Sequence, residues 1–186
     1  MAFGDSLTAG LGVSAEETYP ARLQGKLDAK GYHYSVINAG VSGDTTAGGV
    51  RRVEWILKSR PWVVILELGA NDGLRGIDPD ETRANLERII QRLQTAGVRV
   101  VLAGMKLPPN YGRDHTGRFE AIYPELARKY HLVLIPFFLE GVAAERGLNQ
   151  ADGIHPTGAG YQIIVDQLLP LLEGVIAEEK GVRNPA

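Results

Sequence analysis

A serine, an aspartate and a histidine in this chain have the residue types and the settings that nucleophilic catalysis needs. Ser6 lies in a Gly-Asp-Ser-Leu motif at residues 4–7, and Asp152 precedes His155 by three residues. A serine hydroxyl is a weak nucleophile until an imidazole accepts its proton, and that imidazole needs a partner to fix its tautomer. Because Pro156 favours an extended backbone at His155, Asp152 and His155 should share a loop. These residues predict acyl transfer to water through an acyl-serine intermediate.

Two further motifs offer donors for the oxygen on which negative charge develops in such a reaction. Gly43 lies in a Val-Ser-Gly-Asp motif, and Asn71 lies in a Gly-Ala-Asn-Asp motif. We predict an oxyanion hole made of the backbone N–H groups of Ser6 and Gly43 and the side-chain amide of Asn71. Each residue alone also fits a structural role, as a helix cap, a turn glycine or an Asx-turn residue. Their joint occurrence favours the catalytic interpretation.

The order of the predicted elements defines the fold class. Strand-like apolar segments lie at residues 1–3, 34–38, 62–68, 98–103 and 132–135. They alternate with amphipathic helical segments at residues 19–30, 46–58, 79–96, 119–130 and 158–169. This alternation predicts an α/β fold, a three-layer α/β/α sandwich with a five-stranded parallel sheet, in a single domain of residues 1–186. We expect residues 181–186 to be frayed.

The four polar motifs follow predicted strands, which indicates where a site would form. The motif around Asp152 and His155 follows the fifth strand, and the other three motifs follow the first three strands. In open parallel sheets, ligands bind beyond the carboxyl ends of the strands. All four motifs should therefore open onto one edge of the sheet.

Composition and charge exclude several other classes of protein. The chain has 186 residues, no cysteine and a formal net charge of −2. The lack of cysteine removes disulfides, thiolate metal sites and a cysteine nucleophile. The charge argues against a nucleic-acid partner, and no apolar run approaches the ~18 residues of a membrane span. The basic pair Arg51 and Arg52 is predicted to lie on a solvated helix face.

Two function classes besides a serine hydrolase stay open on the residues alone. In a metal-dependent phosphoesterase, four side chains at the strand ends would gather a divalent cation, namely Asp5, Asp72, Asp152 and His155. That interpretation leaves Ser6, Gly43 and Asn71 without a role. A non-catalytic flavodoxin-like module that binds a nucleotide or a flavin is the other class. The chain has neither a Walker loop nor a convincing dinucleotide fingerprint, and Ser6 is not in a G-x-S-x-G elbow.

Together, in this order and spacing, the four motifs resemble the signature blocks of the GDSL, or SGNH, hydrolases. The likeness covers nearly the whole chain, and it is strongest to the bacterial thioesterase I / protease I / lysophospholipase L1 (arylesterase) branch at residues 67–76, 107–112, 121–124 and 152–156. It implies a flavodoxin-like fold and a monomeric enzyme without metal or cofactor. Such enzymes hydrolyse aryl esters, acyl thioesters and lysophospholipids, often from the periplasm. A carbohydrate acetylesterase is a further option within the same chemistry.

The resemblance also implies a role for each matching residue. Ser6 is the nucleophile, His155 the general base and then acid, and Asp152 its orienting partner, with Ser6, Gly43 and Asn71 in the oxyanion hole. Two loops are expected to bind the acyl chain through Gly73, Leu74, Ile77, Leu107, Pro108 and Tyr111. The family usually has a longer first strand than residues 1–3. Derivation of the sequence from a longer precursor that was trimmed therefore stays open as an alternative. The compartment also stays open: the resemblance favours the periplasm or secretion, and the cytoplasm is the alternative.

Overall fold

One parallel sheet forms the centre of the structure, a computed structural model that describes residues 1–183. Its strands are β1 (Ala2–Gly4), β2 (Asn38–Gly40), β3 (Val63–Glu67), β4 (Arg99–Ala103) and β5 (Val133–Ile135). All neighbours pair in parallel, in the order β2-β1-β3-β4-β5. This is the strand order of flavodoxin-like sheets, so the predicted fold class is confirmed.

Helices cover both faces of the sheet. Within the described residues they are α1 (Ser6–Ala9), α2 (Tyr19–Ala29), α3 (Thr46–Lys58), α4 (Ala70–Leu74), α5 (Pro79–Thr95), α6 (Arg113–Tyr130) and α7 (Gly158–Arg183). Helix α2 packs against α7, whereas α3 packs against α5, and α5 against α6. Right-handed crossovers place these two groups on opposite faces, because the chain adds β2 on one side of β1 and the later strands on the other. None of the helices in residues 1–183 is long and apolar enough to cross a bilayer.

Local sequence explains the helices that the analysis predicts accurately. Helix α5 begins where the Asp78 side chain accepts a 3.0 Å hydrogen bond from Asp80 N–H, with Pro79 in the first turn. Gly97, which follows the helix, has a φ of 75°. The apolar stripe of α5 has no exposed surface and comprises Leu86, Ile89, Ile90 and Leu93. Caps and periodicity are therefore sufficient to define this helix.

Strand β2 begins four residues later than predicted. In the segment before β2, the backbone hydrogen-bonds to the side chain of Gln24 in α2. This side chain donates to Tyr34 C=O at 2.9 Å and accepts from Val36 N–H at 2.6 Å. Strand β1 pairs with β2 at only three residues, and Ile37 C=O accepts from Ala2 N–H at 2.8 Å. Tyr34 and Val36 therefore bond to a side chain instead of to the sheet.

Helices α6 and α7 are both longer than predicted. Helix α6 starts at Arg113, directly after Gly112 with a φ of 85°. Helix α7 continues past Pro170, where loss of a backbone N–H predicts an end, because its next turns bury Leu172, Val175 and Ile176. The helix reaches Arg183, so it includes residues 181–183 of the segment that was expected to fray; residues 184–186 lie outside the described residues.

Helix α1 rests directly on the end of β2, and this contact leaves no space for a side chain. A Cβ atom added at Gly40 would lie 2.2 Å from Ala9 N and 2.7 Å from the carbonyl carbon of Thr8, both backbone atoms. Neither backbone can move without displacing α1 or the sheet. Glycine at this position thus allows the helix that begins at Ser6 to sit against β2.

We expect Gly40→Ala to lower the free energy of unfolding by about 1–3 kcal/mol, because the added methyl group overpacks a rigid contact. Gly25→Ala is the matched control: Gly25 lies on the exposed side of α2 with no atom within 4 Å of an added Cβ. That change should raise the free energy of unfolding by about 0.5–1 kcal/mol through the helix propensity of alanine. Urea unfolding measures both. Equal stabilities for Gly40→Ala and the wild type would contradict the close contact.

Candidate active site

The predicted site residues meet at the carboxyl edge of the sheet. Ser6 begins α1 immediately after β1, and Asn71 lies in α4 just after β3. Gly43 lies in the turn after β2, and His155 lies in the segment between β5 and α7. Strands β1 and β3 flank the point where the strand order reverses, which is where open α/β sheets bind ligands. The fold therefore brings together residues that are up to 149 positions apart.

Ser6, His155 and Asp152 form a continuous hydrogen-bonded chain. His155 Nε2 lies 2.9 Å from Ser6 Oγ, and His155 Nδ1 lies 2.7 Å from Asp152 Oδ2. A carboxylate can only accept, so Nδ1 carries the proton and Nε2 is left to accept the proton of the Ser6 hydroxyl. This tautomer is the one that a general base for Ser6 requires.

The Asp152 carboxylate is held in its ionised form by three donors. The His155 ring is the strongest of them, and the backbone N–H groups of His155 and Ile154 follow, at 3.1 and 3.0 Å from Asp152 Oδ1. Together they lower the pKa of Asp152 from 3.8 to about 2. The ionised carboxylate accepts from His155 Nδ1 and so orients the imidazole.

Gln150 fixes the loop that carries Asp152 and His155. Its backbone N–H donates to His155 C=O at 2.8 Å, next to a bridge between Asn149 and Pro156. Its side-chain amide donates to Pro156 C=O at 2.9 Å and to Leu11 C=O at 2.7 Å, in the loop after α1. Gln150 thus links the histidine side of the site to the serine side. Gln150 was not among the predicted site residues, because a lone glutamine in a loop gives no signal.

Two buried carboxyl groups lie beneath Ser6. Asp5 caps α1 by accepting from Leu7 N–H at 3.0 Å, and its other oxygen accepts from Asn71 Nδ2 at 2.9 Å. Glu67, at the end of β3, accepts from the Asp5 backbone N–H at 3.3 Å and from the Thr8 hydroxyl at 2.7 Å. Glu67 is 0% exposed and Asp5 is 1% exposed. Asp5 therefore orients both the serine helix and the Asn71 amide.

Burial opposes the ionisation of both carboxyl groups. Burial raises the pKa of Asp5 from 3.8 to about 6, against the hydrogen bonds from Leu7 and Asn71 that lower it. Burial, followed by the charge of Asp5, raises the pKa of Glu67 well above 4.5. Glu67 is therefore protonated beside the Asp5 carboxylate, and its buried Oε1 atom has no hydrogen-bond partner among the described residues. Glu67 was not among the predicted site residues.

The carboxylates of the alternative metal site are not assembled. Asp72 is buried and accepts from the backbone N–H of Thr46 at 2.9 Å and from its hydroxyl group. Asp5 is taken up by Leu7 and Asn71, as described above, and Asp152 by His155 and its backbone. Among residues 1–183, no group of three or more histidine or acidic side chains could hold a metal ion.

The three predicted oxyanion donors line one cavity. Asn71 Oδ1 accepts from Arg75 Nη2 at 3.3 Å, and the same Nη2 donates to Gly43 C=O at 3.0 Å. Gly43 has a φ of 78°, in the left-handed region that favours glycine. Its backbone conformation therefore explains why this position is a glycine. Among the described residues, neither Ser6 N–H nor Gly43 N–H has a protein acceptor.

Arg52 is not on a solvated helix face as predicted. It donates to Asp44 Oδ2 from Nε at 2.9 Å and from Nη2 at 2.7 Å. It also donates to Ala39 C=O at 3.1 Å and to Gly4 C=O at 3.2 Å. Only its neighbour Arg51 is exposed. Arg52 therefore ties the ends of β1 and β2 to the turn that contains Gly43.

A cavity of about 530 Å³ opens beside Ser6, and its wall is mainly apolar. Three of the predicted acyl-binding residues line it, namely Leu74, Leu107 and Pro108. Six further lining residues were not predicted. Leu7 and Ile154 lie within the motifs of Ser6 and His155, whereas the others come from segments without a motif: Leu11, Met105, Phe137 and Leu139.

Gly73, Ile77 and Tyr111 were also predicted to bind the acyl chain, but they are not part of the cavity wall. Gly73 is buried behind Leu107, whose Cδ2 would lie 2.5 Å from an added Cβ. Ile77 N–H donates a 3.0 Å hydrogen bond to Asp72 C=O, which fixes the backbone of Ile77 next to α4. Tyr111 ends a short 3₁₀ helix, Pro109–Tyr111, and lies beyond the prolines at the cavity.

The fold and the hydrogen-bonded chain at Ser6 are those of a serine hydrolase on a flavodoxin-like sheet. The chain belongs to the GDSL-like lipase/acylhydrolase family, whose model matches residues 2–163. Esterase TesA of Pseudomonas aeruginosa is 41% identical over 174 residues, 93% of this chain and 87% of that protein. Thioesterase 1/protease 1/lysophospholipase L1 of Escherichia coli K12 is 41% identical over 93% of this chain and 82% of its own length.

A solved structure extends this likeness. The psychrotrophic esterase EstA from Pseudoalteromonas sp., in a structure inhibited by monoethylphosphonate, matches with a TM-score of 0.90 and 32% identity. The match covers 95% of this chain and 97% of EstA. The protein is therefore a serine ester hydrolase.

The protonated state of Glu67 predicts how stability depends on pH. Below about pH 4.5 the residue is protonated in the folded and the unfolded chain; above it, only the unfolded chain loses the proton. Raising the pH therefore destabilises the wild type relative to Glu67→Gln, by up to about 1.4 kcal/mol per pH unit until folded Glu67 ionises. Urea unfolding between pH 4 and 8 measures the difference. The exposed Glu145→Gln is the control, and a pH-independent difference for Glu67→Gln would show that Glu67 is not held protonated.

Proposed function

We propose that the protein hydrolyses carboxylesters with Ser6 as nucleophile, His155 as general base and acid, and Asp152 as the orienting carboxylate. The observation that carries this proposal is the hydrogen-bonded chain from Ser6 Oγ through His155 to Asp152, at 2.9 and 2.7 Å. His155 Nε2 takes the hydroxyl proton as Ser6 Oγ attacks the carbonyl carbon. The imidazolium then gives that proton to the leaving alcohol, and an acyl-Ser6 ester remains. Water, deprotonated by His155, releases the acid and restores Ser6.

The oxyanion formed in each half-reaction would be bound by the N–H groups of Ser6 and Gly43 and by Asn71 Nδ2. One Nδ2 hydrogen is used by Asp5, so the other is available to the substrate oxygen. These donors are fixed before substrate arrives, which is the condition under which they stabilise the transition state strongly.

The substrate class follows from the cavity and from the relatives. An apolar cavity of about 530 Å³ beside Ser6 suits the acyl part of a substrate, with Leu74, Leu107 and Pro108 along it. Relatives named as an esterase, as a thioesterase and lysophospholipase, and as an arylesterase support the same class. We propose aryl and short-to-medium acyl esters and acyl thioesters as substrates, with lysophospholipids as a further class.

We also propose that the protein works as a single-domain monomer. Ser6, Asp152, His155 and all three oxyanion donors come from one chain. Nothing in this set requires a second subunit to complete the site.

The test is hydrolysis of p-nitrophenyl esters of graded acyl length by the wild type and Ser6→Ala. Ser6→Ala should lower kcat by about 10³–10⁶ while the protein stays folded, because the nucleophile is lost. Ser14→Ala, at an exposed helix cap outside the site, is the matched control.

A monoethylphosphonate reagent should add one adduct to the wild type and none to Ser6→Ala, as measured by mass spectrometry. EDTA should change nothing; loss of activity with EDTA, or an active Ser6→Ala, would favour the metal-dependent phosphoesterase.

The rate on acyl thioesters and lysophospholipids, relative to p-nitrophenyl esters of the same acyl group, tests the substrate range. All three classes should be cleaved by the wild type and none by Ser6→Ala. A class that is not cleaved at any acyl length is removed from the proposal.

Asn71→Ala should lower kcat by about 10²–10³ with little change in KM, because the lost amide acts only on the developing oxyanion. Steady-state kinetics on one p-nitrophenyl ester and thermal unfolding of the same samples measure this. A variant that melts like the wild type and keeps its kcat would remove Asn71 from the oxyanion hole.

A further inference from the structure

The Asn71 amide has its hydrogen-bonding positions almost fully assigned by protein groups. A carboxamide offers an oxygen that accepts and a nitrogen that donates twice. The oxygen accepts from Arg75 Nη2 at 3.3 Å, and one N–H donates to Asp5 Oδ2 at 2.9 Å. These two contacts prevent the amide from rotating by 180°. A single N–H is left for a substrate oxygen.

Arg75 also contacts the second loop of the proposed oxyanion hole. The Nη2 atom that donates to Asn71 donates to Gly43 C=O at 3.0 Å. Gly43 lies in a turn closed by a 3.0 Å bond from Asp44 N–H to Val41 C=O, at the end of β2. One guanidinium nitrogen therefore bridges the loops after β2 and β3, which supply separate donors.

The local sequence places Arg75 for this contact. Asn71 and Arg75 are four residues apart across α4, and Arg75 N–H donates to Asn71 C=O at 3.1 Å. Side chains with this spacing lie on the same face of a helix. The Asn-x-x-x-Arg spacing is therefore the sequence signal for the pair.

The guanidinium is a cation without an acidic partner. Among the described residues no carboxylate lies within 4.0 Å of Arg75, whereas Arg52 and Arg118 are both paired. Arg75 is exposed, and it is not part of the wall of the cavity beside Ser6. It is thus placed to act on the oxyanion donors and not on the acyl chain.

We propose that Arg75 is a positioning residue that holds Gly43 and Asn71 in register and polarises the Asn71 amide. The inference rests on the proposed roles of Ser6, Gly43 and Asn71. A charge-assisted hydrogen bond on Oδ1 draws electron density from the amide, so the remaining Nδ2–H becomes a stronger donor. At Gly43 the bond restrains a residue in the left-handed conformation and so fixes the direction of its N–H.

The benefit arises only when negative charge develops on the substrate oxygen, so it belongs in kcat and not in KM. Arg75→Met should lower kcat by about tenfold or more and change KM by less than about twofold. Arg75→Lys should recover part of the loss, because an ammonium can still donate to one of the two oxygens. Arg118→Met is the matched control: Arg118 is an exposed arginine that pairs with Asp78 and Asp80. Its kcat and KM should equal those of the wild type.

An alkylboronic acid supplies a readout that a merely structural role would not move. Ser6 adds to boron and forms a tetrahedral adduct that resembles the intermediate, so its inhibition constant should rise in Arg75→Met in proportion to the loss of kcat. In an Asn71→Ala background, Arg75→Met should cost less than in the wild type, because one of its two contacts is already gone. Thermal unfolding of each variant should match the wild type.

Three results would overturn this inference. They are an unchanged kcat in Arg75→Met, a raised KM with kcat unchanged, and a full additive loss in the Asn71→Ala background. Failure of the proposed function is distinguishable, since it would appear as an inactive wild type or an active Ser6→Ala. If the wild type is active and Arg75→Met has the same kcat, only the proposed role of Arg75 is contradicted.

Discussion

The active end of this molecule depends on one buried contact, in which the Glu67 side chain accepts a 3.3 Å hydrogen bond from the Asp5 backbone N–H. The Asp5 carboxylate caps the helix that begins at Ser6 and also holds the Asn71 amide. Glu67 in turn lies so close to β1 that a Cβ at Gly4 would be 2.4 Å from its Oε2. The glycine and the aspartate before Ser6 therefore have structural causes. Glycine at position 4 leaves room for the Glu67 side chain. Aspartate at position 5 supplies the carboxylate that orients the serine helix and the Asn71 amide.

Around this contact, the site is built from loops that the sheet alone does not fix. On the inner side, Arg52 ties the ends of β1 and β2 to the Gly43 turn through Gly4 C=O, Ala39 C=O and Asp44. On the outer side, Arg75 joins that turn to Asn71. Directed hydrogen bonds from charged side chains thus position these loops, whereas apolar packing positions the elements of the core. The strand order brings the loops close together, and the two arginines orient them.

Features set by local sequence were predicted well, and features set by distant contacts were not. Helix α3 has the predicted bounds, because its cap, Thr45, directly precedes it and its apolar stripe lies within its own residues. Strand β2 was misplaced because Gln24, on another element, takes up its backbone. Gln150 belongs to no motif, and Glu67 begins a family-like segment without being a predicted site residue, so the roles of both emerge only from contacts with residues far along the chain. The residues that meet at the site, by contrast, belong to motifs, and motif order with strand order was sufficient to bring them together.

The proposed triad is divided between two parts of the protein with different resistance to opening. Ser6 is 8% exposed and begins α1 directly after the buried strand β1, whereas Asp152 lies in an exposed loop. That loop is closed by a single bridge, Asn149 to Pro156, and by the bonds of Gln150. Segments with few buried contacts open locally at a lower free energy than the global transition. Opening of the Asp152 loop is therefore expected to cost less free energy than global unfolding, and it would separate Asp152 from Ser6 while the sheet stays intact.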